Sequence, residues 1–330
     1  MSDRLPEGLN AFLDSAGWHG ASVDPLAGDA SFRRYFRVES EGRKAMLMHA
    51  PPPHEDPRPF LDVAAWLHDN GLRAPVIYAA QPDDGWVLLE DFGDDRMRDV
   101  LDVQPDREVD IYKAAIDALV ALHGHPAGPF PAYDMAVYQR EVALFTEWYC
   151  PAAGLTVDAA GWTAAWDEVL QPLMARQDPG VTVLRDYHAE NIMLLDEGEP
   201  QGLIDFQDAL VGHRAYDLVS LLQDARRDVS PELEQAMLVH YLAQVDAGAD
   251  FASDYAVLGA QRNAKIVGIF ARLWQRDGKP RYLPMIPRVW EAMERDLAAP
   301  ALAPVAQWFA DNIPPAVRQA HGGKLGDLQG

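Results

Sequence analysis

Leu184-Arg185-Asp186-Tyr187-His188-Ala189-Glu190-Asn191-Ile192-Met193-Leu194-Leu195, followed after a turn by Leu203-Ile204-Asp205-Phe206-Gln207-Asp208, is the stretch that sets the fold of this chain. Asp186 and Asn191 stand five residues apart in a polar loop that runs into an apolar strand. A turn at Asp196 to Pro200 leads to a second apolar strand, and this one delivers Asp205. Phosphoryl transfer requires such parts: a carboxylate beside the attacking hydroxyl takes its proton, while an amide oxygen and a second carboxylate hold Mg²⁺ against phosphate oxygens. Each residue alone would be an ordinary turn former. The joint spacing between two hydrophobic strands predicts Asp186 as catalytic base and Asn191 and Asp205 as metal ligands.

Working outward, the chain has two textures. Up to Gly93 the signals are short strands, at Phe32 to Val38, Ala45 to His49, Val76 to Ala79 and Trp86 to Glu90. A short helix near Leu9 to Ser15 precedes them, and a helix at Arg58 to Asp69 interrupts them, stopped by Asn70-Gly71. Beyond Gly93 the pattern turns helical. Ile111, Ala115, Leu119 and Leu122 recur at spacings of three and four within Arg107 to His123, and Met135 to Tyr149 and Trp162 to Arg176 repeat that texture. Helices resume at Tyr216. The expected architecture is α+β and bilobal: a small antiparallel-sheet lobe over residues 1–93 and a larger helical lobe over 94–330.

Composition excludes several classes of function. Twenty-eight Lys and Arg against 51 Asp and Glu give a formal charge of −23, which argues against nucleic acid as a partner. No run of about 18 apolar residues suggests a membrane span. Met1 to Asn10 does not read as a signal peptide. The single cysteine, Cys150, permits no internal disulfide and suits a reducing compartment, so the expected location is cytoplasmic. No obligate protein partner is evident.

The catalytic block resembles the segments shared by protein kinases and the aminoglycoside phosphotransferase group, where a loop Asp-x-x-x-x-Asn is followed by a metal-binding Asp one hairpin downstream. The resemblance implies a protein-kinase-like fold that uses ATP and Mg²⁺. It implies that Ala30, Ser31, Phe32, Arg33 and Arg34 form a turn over the phosphates, although Gly28 is its only glycine. It makes Glu90 and Phe92, in Leu88 to Gly93, part of the connector whose backbone meets adenine, and it casts Asp217 and Arg185 as supports of the catalytic loop. Two departures stand out. Leu184 replaces the usual histidine two residues before the base, and Met48 occupies the place of the phosphate-pairing strand lysine. Lys44 lies too early in its strand to substitute. Arg33 or Arg34 is the expected replacement, and strand alternation lets only one of them point inward.

Longer stretches resemble one branch of that group, the anomeric kinases of N-acetylmuramate and N-acetylglucosamine. They include Ala30 to Val38 (ASFRRYFRV), Glu141 to Tyr149 (EVALFTEWY), Tyr216 to Arg226 (YDLVSLLQDAR) and Gln261 to Leu283 (QRNAKIVGIFARLWQRDGKPRYL). This implies transfer of the ATP γ-phosphate to the C1 hydroxyl of a small amino sugar in cell-wall recycling. Glu141, Trp148, Arg262 and Lys265 are the candidate sugar contacts, with His188 either touching sugar or bracing the loop. Trp148 and its neighbour Tyr149 are equally suited to core packing. The alternatives are an aminoglycoside, choline or homoserine kinase of the same fold, a nucleotide-binding regulator without catalysis, and a metal-dependent hydrolase built on His123, His125 and His188.

Overall fold

A computed structural model describes residues 5–26, 32–196, 198–323 and 325. Two compact units form: Met1–Val103 with Asn191–Asp208, and Gln104–Glu190 with Ala209–Gly330.

Among the described residues, the first unit holds a five-stranded antiparallel sheet in the order β1-β2-β3-β5-β4. Its strands are β1 (Ser22–Pro25), β2 (Arg34–Ser40), β3 (Arg43–His49), β4 (Ile77–Gln81) and β5 (Trp86–Leu89). Alternation along β2 and β3 sorts side chains onto two faces. Phe36, Val38, Ala45 and Leu47 turn to one face and pack with Leu9, Phe12 and Leu13 of α1 (Leu9–Ser15). Tyr35 and Arg37 turn to the other, opposite Met48 and Met46.

Helix α2 (Arg58–Asp69) buries Phe60, Val63, Ala64 and Leu67, one helical stripe. Each such side chain contributes about 1.5–3 kcal/mol, less for alanine. The helix ends because Gly71 takes a φ of 72°, which only glycine adopts without strain, and Leu72 N then donates to Leu67 O at 2.9 Å.

The expected division at residue 93 differs from the one observed. The first unit continues through α3 (Met97–Val103) and takes in the hairpin of β7 (Ile192–Met193) and β8 (Gly202–Leu203). Several contacts hold this hairpin to the unit. Leu194 N donates to Asp95 O at 2.8 Å, Leu203 N donates to Arg73 O at 2.8 Å, and Phe206 stacks on Phe60 at 5.0 Å.

The second unit is helical: α4 (Glu108–His123), α5 (Met135–Leu144), α6 (Cys150–Ala152), α7 (Ala159–Arg176), α8 (Ala215–Leu222), α9 (Pro231–Leu242), α10 (Phe251–Gln275), α11 (Ile286–Leu297), α12 (Ala303–Asn312) and α13 (Pro315–Gln319). One antiparallel pair, β6 (Val181–Val183) with β9 (Leu210–Gly212), runs through it, and β6 leads straight into the segment that holds Asp186. Helix α10 is buried along most of its length.

The helix expected over Met135 to Tyr149 changes character after Leu144, where Phe145–Tyr149 is a π-helical turn. At Gly268 the backbone of α10 comes so near that an added Cβ would lie 2.3 Å from the carbonyl carbon of Leu144. The rings of the turn lock into an aromatic core, with Phe145 5.0 Å from Tyr149 and 5.3 Å from Trp162. Tyr149 is therefore a core residue. Cys150 is 1 % exposed, and burial pushes its thiol up to about 12. Among the described residues, no helix is long and apolar enough to cross a membrane.

Candidate active site

The segment Leu184 to Glu190, which carries the predicted base, lies in the second unit and is held from α8 and the residues after it. Asp217 is fully buried and accepts from Leu184 N at 2.6 Å and Arg185 N at 2.9 Å. Burial pushes its carboxyl up to about 7, against the two backbone donors. Ser220 Oγ donates to Arg185 O at 3.2 Å, and Tyr187 hydroxyl donates to Ala115 O at 2.8 Å. Asp224 accepts from Ala189 N at 3.2 Å and Arg226 N at 2.8 Å. Arg185 is held at a φ of 70°, a conformation that costs a non-glycine residue about 1 kcal/mol or more. Such strain persists only where the surroundings over-determine it, and these braces do so. Together they hold the backbone on both sides of Asp186.

Around this loop lies a buried charge network. Glu141, 5 % exposed, accepts from Tyr133 hydroxyl, Arg185, Gln261 at 3.2 Å and Lys265 Nζ at 3.0 Å. Lys265 also reaches Tyr216 hydroxyl at 3.1 Å. Burial alone would raise the Asp186 carboxyl, but Lys265, His188, Arg262 and Arg185 outweigh it and hold the group below its ordinary value. Asp186 is thus an ionised carboxylate in cationic surroundings, able to accept a proton.

The predicted sugar contacts separate here. Glu141 and Lys265 are tied to each other and to the loop. His188, 3 % exposed, has its Nε2 3.1 Å from Arg226, and burial lowers its pKa. Arg262 is 4 % exposed, and its Nη1 has no hydrogen-bond partner among the described residues. Trp148, half-buried in the π-helical turn, enters no hydrogen bond, ion pair or ring contact with Glu141, Lys265, His188 or Arg262. Sequence reasoning missed Asp224, Ser220 and Tyr133, whose partners are remote in sequence and unmarked by any local pattern.

The first unit carries the other predicted groups. Asn191 Nδ2 donates to Asp205 Oδ2 at 3.3 Å, and Gln207 Nε2 to Asp205 Oδ1 at 3.0 Å. Asp205 has a φ of 58°, and its side chain is 47 % exposed. One amide and one accessible carboxylate form a hard-oxygen donor set that suits Mg²⁺ completed by water and phosphate oxygens. Among the described residues, no cluster of three or more His, Cys, Asp and Glu could hold a metal with protein ligands alone.

Ala30 and Ser31 lie outside the described residues. Phe32, 65 % exposed, stacks on His54 at 5.1 Å. Arg33 Nη1 lies 3.9 Å from Asp205 Oδ1, and Arg33 Nε lies 3.5 Å from Glu55. Arg34 instead lies over the Phe36 ring at 5.0 Å, toward the core face of the sheet. Met48 is fully buried opposite Tyr35, and Lys44 is exposed.

In the connector, Glu90 is clamped by Arg73 at 2.6 and 2.7 Å, which holds its carboxyl below the ordinary value, and its backbone N–H is bonded to Val76 O at 2.8 Å. Phe92 is packed under the Arg73 guanidinium at 4.6 Å, and a Cβ at Gly202 would strike its ring at 2.6 Å. Arg37 bonds Asp91 at 2.6 Å and Asp94 at 3.0 Å, tying β2 to the connector. These side chains shape the connector.

Residues 22–256 match the phosphotransferase enzyme family. Two similar proteins are both named N-acetylmuramate/N-acetylglucosamine kinase. One, from Caulobacter vibrioides, is 37% identical over 94% of this chain and 97% of its own length. The other, from Pseudomonas aeruginosa, is 39% identical over 92% of this chain and 95% of its own. The fold is similar to that of spectinomycin phosphotransferase in complex with ADP and spectinomycin, with a TM-score of 0.59 and 13% identity over 91% of this chain and 100% of the other.

Proposed function

This chain belongs to the phosphotransferase enzyme family, and from that premise we propose that it moves the terminal phosphoryl group of ATP, with Mg²⁺, onto the anomeric hydroxyl of N-acetylmuramate and N-acetylglucosamine, feeding the recycling of cell-wall sugars. The observation that carries the reading is the agreement in name of relatives aligned over more than nine-tenths of the chain.

Asp186 acts as base. It takes the proton of the sugar O1 as the O1–phosphorus bond forms and the bond from phosphorus to the ADP oxygen breaks. The cationic neighbours keep Asp186 ionised at neutral pH, and Asp217, Ser220 and Asp224 keep the loop from relaxing. Glu141 neutralises Arg185 and Lys265 inside the protein, so neither collapses onto Asp186 and removes it from reach of the acceptor. Asn191 and Asp205 are the residues that would hold Mg²⁺, which when bound neutralises phosphate charge as it shifts toward ADP. Arg33, beside Asp205, supplies the phosphate cation that Met48 cannot. The connector backbone at Glu90 to Phe92 receives the adenine.

The test is phosphorylation of the two sugars and of their 1-O-methyl glycosides, followed by phosphorus NMR. Product from the free sugars and none from the glycosides supports the reading. Product from the glycosides, or turnover only of an aminoglycoside or choline, refutes it.

A further inference from the structure

Helix α10 carries two buried cations on neighbouring turns, Arg262 and Lys265, with exposures of 4 % and 8 %. They are treated differently. Lys265 is satisfied by Glu141 at 3.0 Å and Tyr216 at 3.1 Å. Arg262 has an Nη1 with no hydrogen-bond partner among the described residues. Asp186 and Asp217 lie within reach of its charge, yet burying a guanidinium N–H without an acceptor is costly. The open Nη1 is a buried, charged donor with room for an acceptor that the described residues do not supply.

Its surroundings say whose anion. The charge of Arg262 acts on Asp186, His188 and Asp217, so it belongs to the neighbourhood of the base. In the function proposed above, on which this inference rests, the base adjoins the acceptor hydroxyl. The phosphate-facing groups, Asn191, Asp205 and Arg33, belong to the first unit. The acceptor's hydroxyls and acetamide are neutral. One of the two acceptors nevertheless carries a charge: N-acetylmuramate is N-acetylglucosamine with a lactic acid in ether linkage at the 3-oxygen. We propose that Arg262 receives that carboxylate in a charge-assisted hydrogen bond and is thereby the specificity-determining residue that favours the acidic sugar over the neutral one.

The experiment uses the full chain with Mg²⁺ and ATP and three acceptors: N-acetylmuramate, its methyl ester and N-acetylglucosamine. For the parent, kcat/KM on the ester should fall about ten- to a hundredfold below that on the free acid, the range expected for one charge-assisted contact. Arg262→Met should lower the ratio of kcat/KM for N-acetylmuramate over N-acetylglucosamine by a similar factor, chiefly through KM. Arg262→Lys should recover part of it. An ester used as well as the acid overturns the inference, and that arm needs no variant to fold. So does Arg262→Met lowering both sugars alike, which would assign the guanidinium to the transferring phosphoryl group or to Asp186. A parent that phosphorylates neither sugar refutes the proposed function itself. One that phosphorylates only N-acetylglucosamine refutes this inference alone.

Discussion

Replacing Arg33 and Arg34 singly by alanine should give unequal enzymes, because the two side chains leave the chain in opposite directions. Arg33 turns to the face of Tyr35 and Met48 and stands 3.9 Å from Asp205. At that range two unit charges attract by about 4 kcal/mol at an effective dielectric near 20. The Asp205 side chain is 47 % exposed, so solvent screens the interaction and the usable part is about 1 kcal/mol or less. A nucleotide phosphate in a charge-assisted hydrogen bond with the same guanidinium gains more, about 1.5–3 kcal/mol, and each 1.4 kcal/mol is about tenfold in affinity. Arg33→Ala should therefore raise the KM for ATP by about tenfold with a smaller change in the KM for sugar. Arg34 packs over Phe36 at 5.0 Å, a contact worth about 0.5–1 kcal/mol of stability. Arg34→Ala should lower the denaturation midpoint slightly and leave the KM for ATP within about threefold of the parent. The assay is initial-rate sugar phosphorylation with ATP varied at saturating Mg²⁺. Two variants that both match the parent, or an Arg34→Ala defect larger than that of Arg33→Ala, would show that the phosphate cation lies elsewhere.

Asp186→Asn should lower kcat by about a hundredfold or more and leave nucleotide affinity nearly intact. Calorimetric ATP titration checks this, and parallel losses of rate and affinity would contradict the role of base. Asp205→Ala should abolish the Mg²⁺ dependence of nucleotide binding, and an unchanged Mg²⁺ titration would remove Asp205 from the metal site. Asp217 gives a prediction about pH. Burial raises its pKa to about 7, so the folded chain binds that proton more tightly than the unfolded one. Its contribution to stability is complete below about pH 4 and is lost as pH rises through about 7. Asp217→Asn should flatten the fall in unfolding free energy between those limits relative to the parent, read from urea titrations at several pH values. An unaltered slope would mean the carboxyl ionises as it does in the unfolded chain.

How much of this was legible in the sequence varied with the range of the interaction. Asp186, Asn191 and Asp205 stood out because their spacing and flanking strands are local properties, and α2 was found to the residue because its apolar stripe and Asn70-Gly71 stop lie within one short segment. Alternation correctly implied that Arg33 and Arg34 diverge, but only the tertiary position of Asp205 distinguishes them. Strand β1 went unseen because it is an edge strand, mostly exposed and with no alternation to read. The π-helical turn was invisible for a different reason. The close approach of Gly268, 124 residues beyond Leu144, enters no periodicity within Phe145–Tyr149. The roles suggested for Glu141 and His188 were underdetermined in the same way, since whether a polar residue meets ligand or protein depends on partners such as Lys265 and Arg226 on distant helices.

The lone thiol described in the core has a practical use. Only a thiolate reacts readily with maleimides and iodoacetamides, and Cys150 is 1 % exposed with its thiol pushed up to about 12. A cysteine placed at an exposed site such as Val103, 75 % exposed, would be the one that takes a fluorophore or spin label at neutral pH. The natural chain is thus already a background for site-specific spectroscopy, with no need to empty its core of sulfur first.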